Sequence, residues 1–255
     1  MLLTIDVGNT QTAIGLFDGT QIVGHWRLAT DQDTTSDELR LKLNVLLKLA
    51  GHDEKDIDGV ALSSVVPPLT DLWDTVSVSL CGEKCVKAST ATAPWIEIAY
   101  ENPEEIGADR IADAVAAIEL YGAPVVVVDL GTATNIEVID DAGRFVGGII
   151  APGLRTSTNA LFAAAARIPR FDIIEPRSVI GKTTKDAVRS GLLYGEVDKI
   201  DGLVRRIWNE LGYKTKVVGT GGLVSTVAAL SETIDAIAKD LTLEGLRIIY
   251  ERTRA

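Results

Sequence analysis

Twice along this chain an apolar run ends in Asp-x-Gly and is followed by hydroxyl side chains: Asp6-Val7-Gly8-Asn9-Thr10 and Asp129-Leu130-Gly131-Thr132-Ala133. A carboxylate at a strand end can hold a cation, and the glycines and hydroxyls behind it let the backbone come close to a phosphate. One Asp-x-Gly is equally well explained as turn chemistry. Two copies in matching settings are not, because a turn does not require a carboxylate at the same strand end twice.

A third candidate is Gly107-Ala108-Asp109-Arg110, which opens a helical pattern. Asp109 by itself suits a helix N-terminus. Arg110 does not, since a cation in the first turn opposes the helix dipole; an anionic ligand or a carboxylate partner would explain it. The acid and the guanidinium together suit a hydroxyl substrate that carries a carboxylate. Gly219-Thr220-Gly221-Gly222 marks a strand-to-helix junction, where missing Cβ atoms let a base or ribose lie against the backbone, or which is a plain β-α turn.

Two nucleotide motifs are excluded. No G-x-G-x-x-G follows a strand, and Gly181-Lys182-Thr183 resembles the end of a Walker A loop only until Pro176 is found in place of its first glycine. Cys81 and Cys85 lie far from His25 and His52, so they read as reduced structural thiols rather than a metal site.

The elements that must position these residues form a repeat. Leu2 to Val7, Thr12 to Phe17 and Gln21 to Leu28 read as three strands, the last two joined by the Asp18-Gly19 turn. Thr35 and Glu38 make a capping box that opens a helix ending near Ala50. Ile57 to Val65 is a strand, Pro67-Pro68 opens a helix through Leu80, Cys85 to Ala88 is a short strand, and Ala108 to Tyr121 is helical. The program then restarts. Val125 to Asp129, Ile136 to Ile139 and Phe145 to Ile150 repeat the three strands, with Asp141-Ala142-Gly143 as the second hairpin turn. A helix over Lys185 to Leu211, a strand at Val217-Val218 and helices around Val224 to Leu230 and Leu241 to Tyr250 complete it. The expected fold is α/β, with two duplicated domains, 1–121 and 122–255, facing each other across a cleft.

With 46% apolar and 24% charged residues, the 255-residue chain has an ordinary globular balance. Its 25 basic against 36 acidic side chains leave a net charge of −11, which repels a nucleic-acid backbone. No apolar stretch reaches the ~18 residues that span a bilayer. No basic n-region precedes the first strand, so neither a membrane nor a secretory signal is expected, and the expected address is cytoplasmic.

In motif order and spacing, Asp6 to Thr10, Gly107 to Arg110, Asp129 to Thr134, Gly147-Gly148 with Pro152-Gly153-Leu154, and Gly219 to Gly222 resemble the type III pantothenate kinases over nearly the whole chain. The resemblance implies duplicated ribonuclease-H-like domains of the acetate and sugar kinase, Hsp70 and actin superfold. It also implies ATP-dependent phosphorylation of pantothenate, the entry step of coenzyme A synthesis. On that resemblance Asp6, Val7, Gly8, Asn9, Thr10, Gln11, Thr12 and Ala13 cradle the ATP phosphates, with Asp6 helping to hold Mg²⁺, and Thr132 also touches ATP. Asp129 matches a monovalent cation ligand for K⁺ or NH₄⁺, and Asp109 a proton acceptor. Tyr100, Gly107, Ala108, Asp109, Arg110 and Thr184 match pantothenate contacts in a pocket completed across a homodimer interface. Three positions depart from the family's usual pattern. Thr183 replaces a common Asn, while Asn135 and Glu137 stand where Thr and Asp are more usual, which bears on cation or metal coordination. A nucleotide-sensing regulator without turnover, or a kinase for another small hydroxy acid, are the alternative expectations.

Overall fold

A computed structural model describes residues 1–165, 168 and 170–254. The chain forms two compact units, one of Met1–Leu120 together with the chain from Leu241 on, the other of Tyr121–Asp240.

In the first unit β1 (Leu2–Val7), β2 (Gln11–Asp18) and β3 (Gln21–Ala29) form an antiparallel meander, and β4 (Gly59–Ser64) and β5 (Val86–Lys87) add in parallel on the far side of β1. The sheet order is β3-β2-β1-β4-β5. One face buries Leu3, Ile5, Val7, Ile14 and Leu16 against α1 (Ser36–Leu49) and α2 (Pro67–Cys81), which contribute Leu39, Leu43, Leu47 and Trp73. The expected capping box is present at α1: Thr35 Oγ1 accepts from Glu38 N at 3.3 Å, and Glu38 Oε2 accepts from Thr35 N at 2.8 Å. Cys85 is buried with its thiol on the Trp73 carbonyl at 3.4 Å. Burial pushes that thiol up to about 12, so it is a protonated packing group, as its isolation in the sequence implied.

The second unit repeats this plan. β6 (Val125–Leu130), β7 (Ala133–Ile139) and β8 (Phe145–Pro152) are antiparallel, β9 (Lys216–Thr220) runs parallel to β6 and β10 (Ala236–Ile237) parallel to β9. The order β10-β9-β6-β7-β8 is the first sheet's order read from its other edge. Val126, Val128, Leu130, Ile136 and Val138 pack against Val197, Ile200 and Val204 of α5 (Thr184–Leu211) and Val224 and Val227 of α6 (Val224–Ala228).

Helix α4 (Leu154–Ala164) and strand β10 were not expected from sequence, and one expectation needs correcting. In α4 the polar run Arg155 to Asn159 separates Leu154 from the apolar stretch Ala160 to Ala164, and β10 has only two residues. The closing helix α7 (Leu241–Arg254) does not belong with residues 122–240 as the 122–255 boundary had it. It packs on β1, β2 and β4 of the first unit, where Thr242 Oγ1 donates to Asp113 Oδ1 at 2.7 Å on α3 (Ala108–Tyr121). The sequence repeat hid this, since α7 follows β10 just as α3 follows β5. No helix among the described residues is long and apolar enough to cross a membrane.

Candidate functional site

In the first unit, β1 delivers Asp6 to the end of the sheet and the chain turns back at once. Gly8 N donates to Gln11 O at 3.0 Å. Thr30, just beyond β3, braces that turn: its hydroxyl donates to Gly8 O at 2.7 Å and lies 3.0 Å from Thr12 Oγ1, while Thr30 N donates to Thr10 O at 3.1 Å. Val7 and Thr12 are buried supports, whereas Asn9, Thr10 and Gln11 are exposed and Asp6, Gly8 and Ala13 half-buried. The turn therefore presents backbone and short polar side chains outward, as a phosphate cradle requires. Thr30 carried no motif, and sequence reasoning missed it.

β4 leads to the second cluster of this unit. A Cβ built on Gly107 would lie 2.4 Å from Asp109 Oδ1 and 3.8 Å from Val65 Cγ1, so the Asp109 carboxylate folds back over a glycine that sits beside the end of β4. Asp109 is the second residue of α3, not its cap; its Oδ1 accepts from Arg110 N at 2.9 Å. Burial pushes its carboxyl above the ordinary carboxylate range, against the lowering pull of the Arg110 amide and guanidinium. Arg110 is 5% exposed. Tyr100 lies half-buried in the loop before α3.

In the second unit Asp129 ends the apolar run of β6 and pairs in register with Asn135 on β7 and Thr220 on β9. Gly221 follows with φ +89°, and a Cβ there would fall 2.5 Å from Asp129 Oδ1 and 2.7 Å from the Leu130 backbone. Only glycine combines that dihedral with that approach. Asn135 Oδ1 is buried without a hydrogen-bond partner. Carboxylate, orphaned amide oxygen and threonine thus line one end of the sheet, a donor set that fits a cation. Glu137, two residues further into the sheet on the same strand, is fully buried.

The Thr132 loop is fastened from two sides. Gly153 N donates to Thr132 O at 3.2 Å and Thr156 Oγ1 to the same oxygen at 2.5 Å. Below it, the buried Glu196 of α5 accepts from Thr134 Oγ1 at 2.5 Å and from Lys199 Nζ at 2.8 Å, and Lys199 also donates to Pro152 O at 2.9 Å. Glu196 and Lys199 were invisible in the sequence because their meaning depends on partners far along the chain. Thr183 caps α5, accepting from Asp186 N at 3.1 Å, a task Asn performs equally well. Thr184, the first residue of that helix, is exposed.

Among the described residues no three His, Cys, Asp or Glu side chains gather as a metal cage. Asp6, a carboxylate near the end of its strand beside a phosphate-type turn, fits a divalent ion that completes its coordination with phosphate oxygens and water.

The family model for type III pantothenate kinase matches residues 2–206. A type III pantothenate kinase of Moorella thermoacetica is 44% identical over 252 residues, covering 99% of both chains. Among solved structures, a conserved putative Baf family transcriptional activator from Campylobacter jejuni superposes with a TM-score of 0.61 at 18% identity, covering 99% of this chain and 98% of that one. The ROK hexokinase from Thermus thermophilus gives 0.52 at 13% identity, covering 99% of each. These last two share the fold. The chain belongs to the type III pantothenate kinase family, and it shares its fold with the hexokinase.

The strut under the Thr132 loop gives a direct test. Replacing Glu196 by Ala strands Thr134 and Lys199 and should cost about 1–3 kcal/mol. Glu196→Gln, which still accepts from Thr134, should lose less. Urea unfolding of both variants checks the order, and an alanine variant as stable as the parent would show that the strut carries no load.

Proposed function

We propose that this chain transfers the γ-phosphoryl group of ATP to the hydroxyl of pantothenate with Asp109 as the general base. Pantothenate phosphorylation in coenzyme A biosynthesis is the reaction of its family, and a kinase of this family uses ATP with a divalent metal. The observation that carries the assignment is the Asp109 carboxylate itself: half-buried, held over Gly107 with Arg110 next to it, and raised toward the range where a carboxylate accepts a proton more readily. Residues 6–13 and Thr132 would hold the phosphates, with Asp6 facing Mg²⁺. Tyr100, Gly107, Ala108, Arg110 and Thr184 would contact pantothenate, Arg110 through its carboxylate. Catalysis would then be mainly positioning and charge stabilisation. The expected setting is the cytoplasm, with no nucleic-acid or membrane partner.

Asp129, with Asn135 and Thr220 as its neighbours in register, is the proposed K⁺ or NH₄⁺ site. The proposed assembly is a homodimer, supported by apolar side chains left exposed at Ile150, Val179 and Ile180.

The base assignment separates activity from stability. A carboxyl whose folded pKa is raised contributes stability that is present below its unfolded pKa and lost as pH rises through the folded one, so at neutral pH the ionised Asp109 is a cost. Asp109→Asn should therefore melt no lower than the parent at pH 7, while ADP release with pantothenate falls by roughly 10² to 10⁴-fold. In the parent, activity should fall with decreasing pH at a value above the ordinary carboxylate range. Turnover within a few-fold of the parent would return Asp109 to a structural role, and an inactive parent would point to a regulator. For the cation, activity should rise on exchanging Na⁺ for K⁺ or NH₄⁺, and Asp129→Ala should remove that dependence; full activity of both proteins in Na⁺ alone would strike the cation out. Sedimentation at micromolar concentration should find a dimer, and monomer alone would overturn it.

A further inference from the structure

The other half of the first unit's site has a residue with no role so far. Ser63, on β4, stands in parallel register with Asp6 on β1. Register partners on parallel strands point to the same face, and strands lie about 4.8 Å apart. That face is the one away from α1 and α2: Leu3, Ile5, Val7, Val60 and Leu62 all belong to the opposite core. On the Asp6 face, Thr4 is already engaged, its hydroxyl on Gly15 O at 3.4 Å. Across the sheet Asp6 has two register neighbours, Ala13 on β2 and Ser63 on β4. Only Ser63 has a polar side chain.

Ser63 is fully buried, and its Oγ has no hydrogen-bond partner. A buried hydroxyl without a partner is uncommon and unfavourable, and in a native protein it calls for an explanation. A serine kept there where alanine would pack as well points to a partner acquired on binding. The second sheet repeats the arrangement, with Thr220 of β9 in parallel register beside Asp129. A hydroxyl residue therefore flanks the strand-end carboxylate in both copies.

We infer that Ser63 is a positioning residue for Asp6: its hydroxyl donates to one oxygen of the Asp6 carboxylate when the other turns to the divalent metal of the bound nucleotide. A hydroxyl rotates freely about its Cα–Cβ and C–O bonds, so the strand spacing is within its reach. The bond leaves the carboxylate one fixed direction in which to face the cation, and a charged acceptor makes it a strong bond. This rests on the reading of Asp6 as the metal carboxylate, and the experiment separates the two.

Mn²⁺ is titrated, by its electron paramagnetic resonance, into the full-length protein saturated with a non-hydrolysable ATP analogue. Ser63→Ala should weaken Mn²⁺ binding by roughly tenfold, the loss of one hydrogen bond to a charged group. Ser63→Cys, nearly the same size with a weak donor, should fall between Ala and the parent. Without nucleotide or metal, Ser63→Ala should melt no lower than the parent, because the hydroxyl has no partner to lose. Mn²⁺ bound by Ser63→Ala as tightly as by the parent, with Asp6→Asn impaired, would overturn the role of Ser63 and leave that of Asp6 standing. An Asp6→Asn protein that binds Mn²⁺ normally would remove the metal reading and this inference with it. A Ser63→Ala protein that melts several degrees lower in the free state would show the hydroxyl to be structural.

Discussion

A carboxylate set near the end of a buried apolar strand is the constraint around which this molecule is arranged. Desolvating such a group is costly unless a cation or donors meet it. The chain sets such a carboxylate twice, at Asp6 and Asp129, each the half-buried next-to-last residue of a strand otherwise mostly of Leu, Ile and Val. Around each carboxylate the backbone is shaped to leave room. Near Asp6 this is the turn at Gly8 braced by Thr30; near Asp129 it is the glycine at 221, whose missing Cβ is the space the carboxylate occupies. Side chains are removed from these places so that something other than protein can approach.

The sheets explain why the carboxylates recur. In each unit the meander brings its second strand antiparallel to the first, and the crossover brings a fourth strand parallel to it, so the central strand is walled on both sides and its last residues are held from both. The neighbours are then free to differ. Asp6 stands between Ala13 and Ser63, Asp129 between Asn135 and Thr220. One scaffold gives two electrostatic settings by changing two residues beside the acid.

Features made within a few residues were legible in the sequence. The Thr35–Glu38 capping box, the two hairpin turns and the paired Asp-x-Gly motifs all work through local spacing, and the repeat emerged from matching them. The end of α5 was equally clear, because Gly212 stops it with φ +81°. Properties set by distant contacts were hidden. Nothing in Leu241–Arg254 says that it packs on β1 rather than on the strands before it, and in α4 the apolar positions Leu154, Leu161 and Phe162 are separated by the polar run from Arg155 to Asn159. Thr30, Ser63, Glu196 and Lys199 are ordinary residues in the sequence; each matters only through a partner, or a missing partner, that folding brings or withholds.

The same distinction bears on the residues that depart from the family pattern. Thr183 in place of Asn is a substitution between two good helix caps, and the bond to Asp186 N shows the task intact. Asn135 in place of Thr exchanges a hydroxyl for an amide, whose oxygen accepts and whose nitrogen donates, and that oxygen is buried without a hydrogen-bond partner on the strand paired with Asp129. The departure thus leaves a buried acceptor in register with Asp129, a feature compatible with the proposed cation at this strand end.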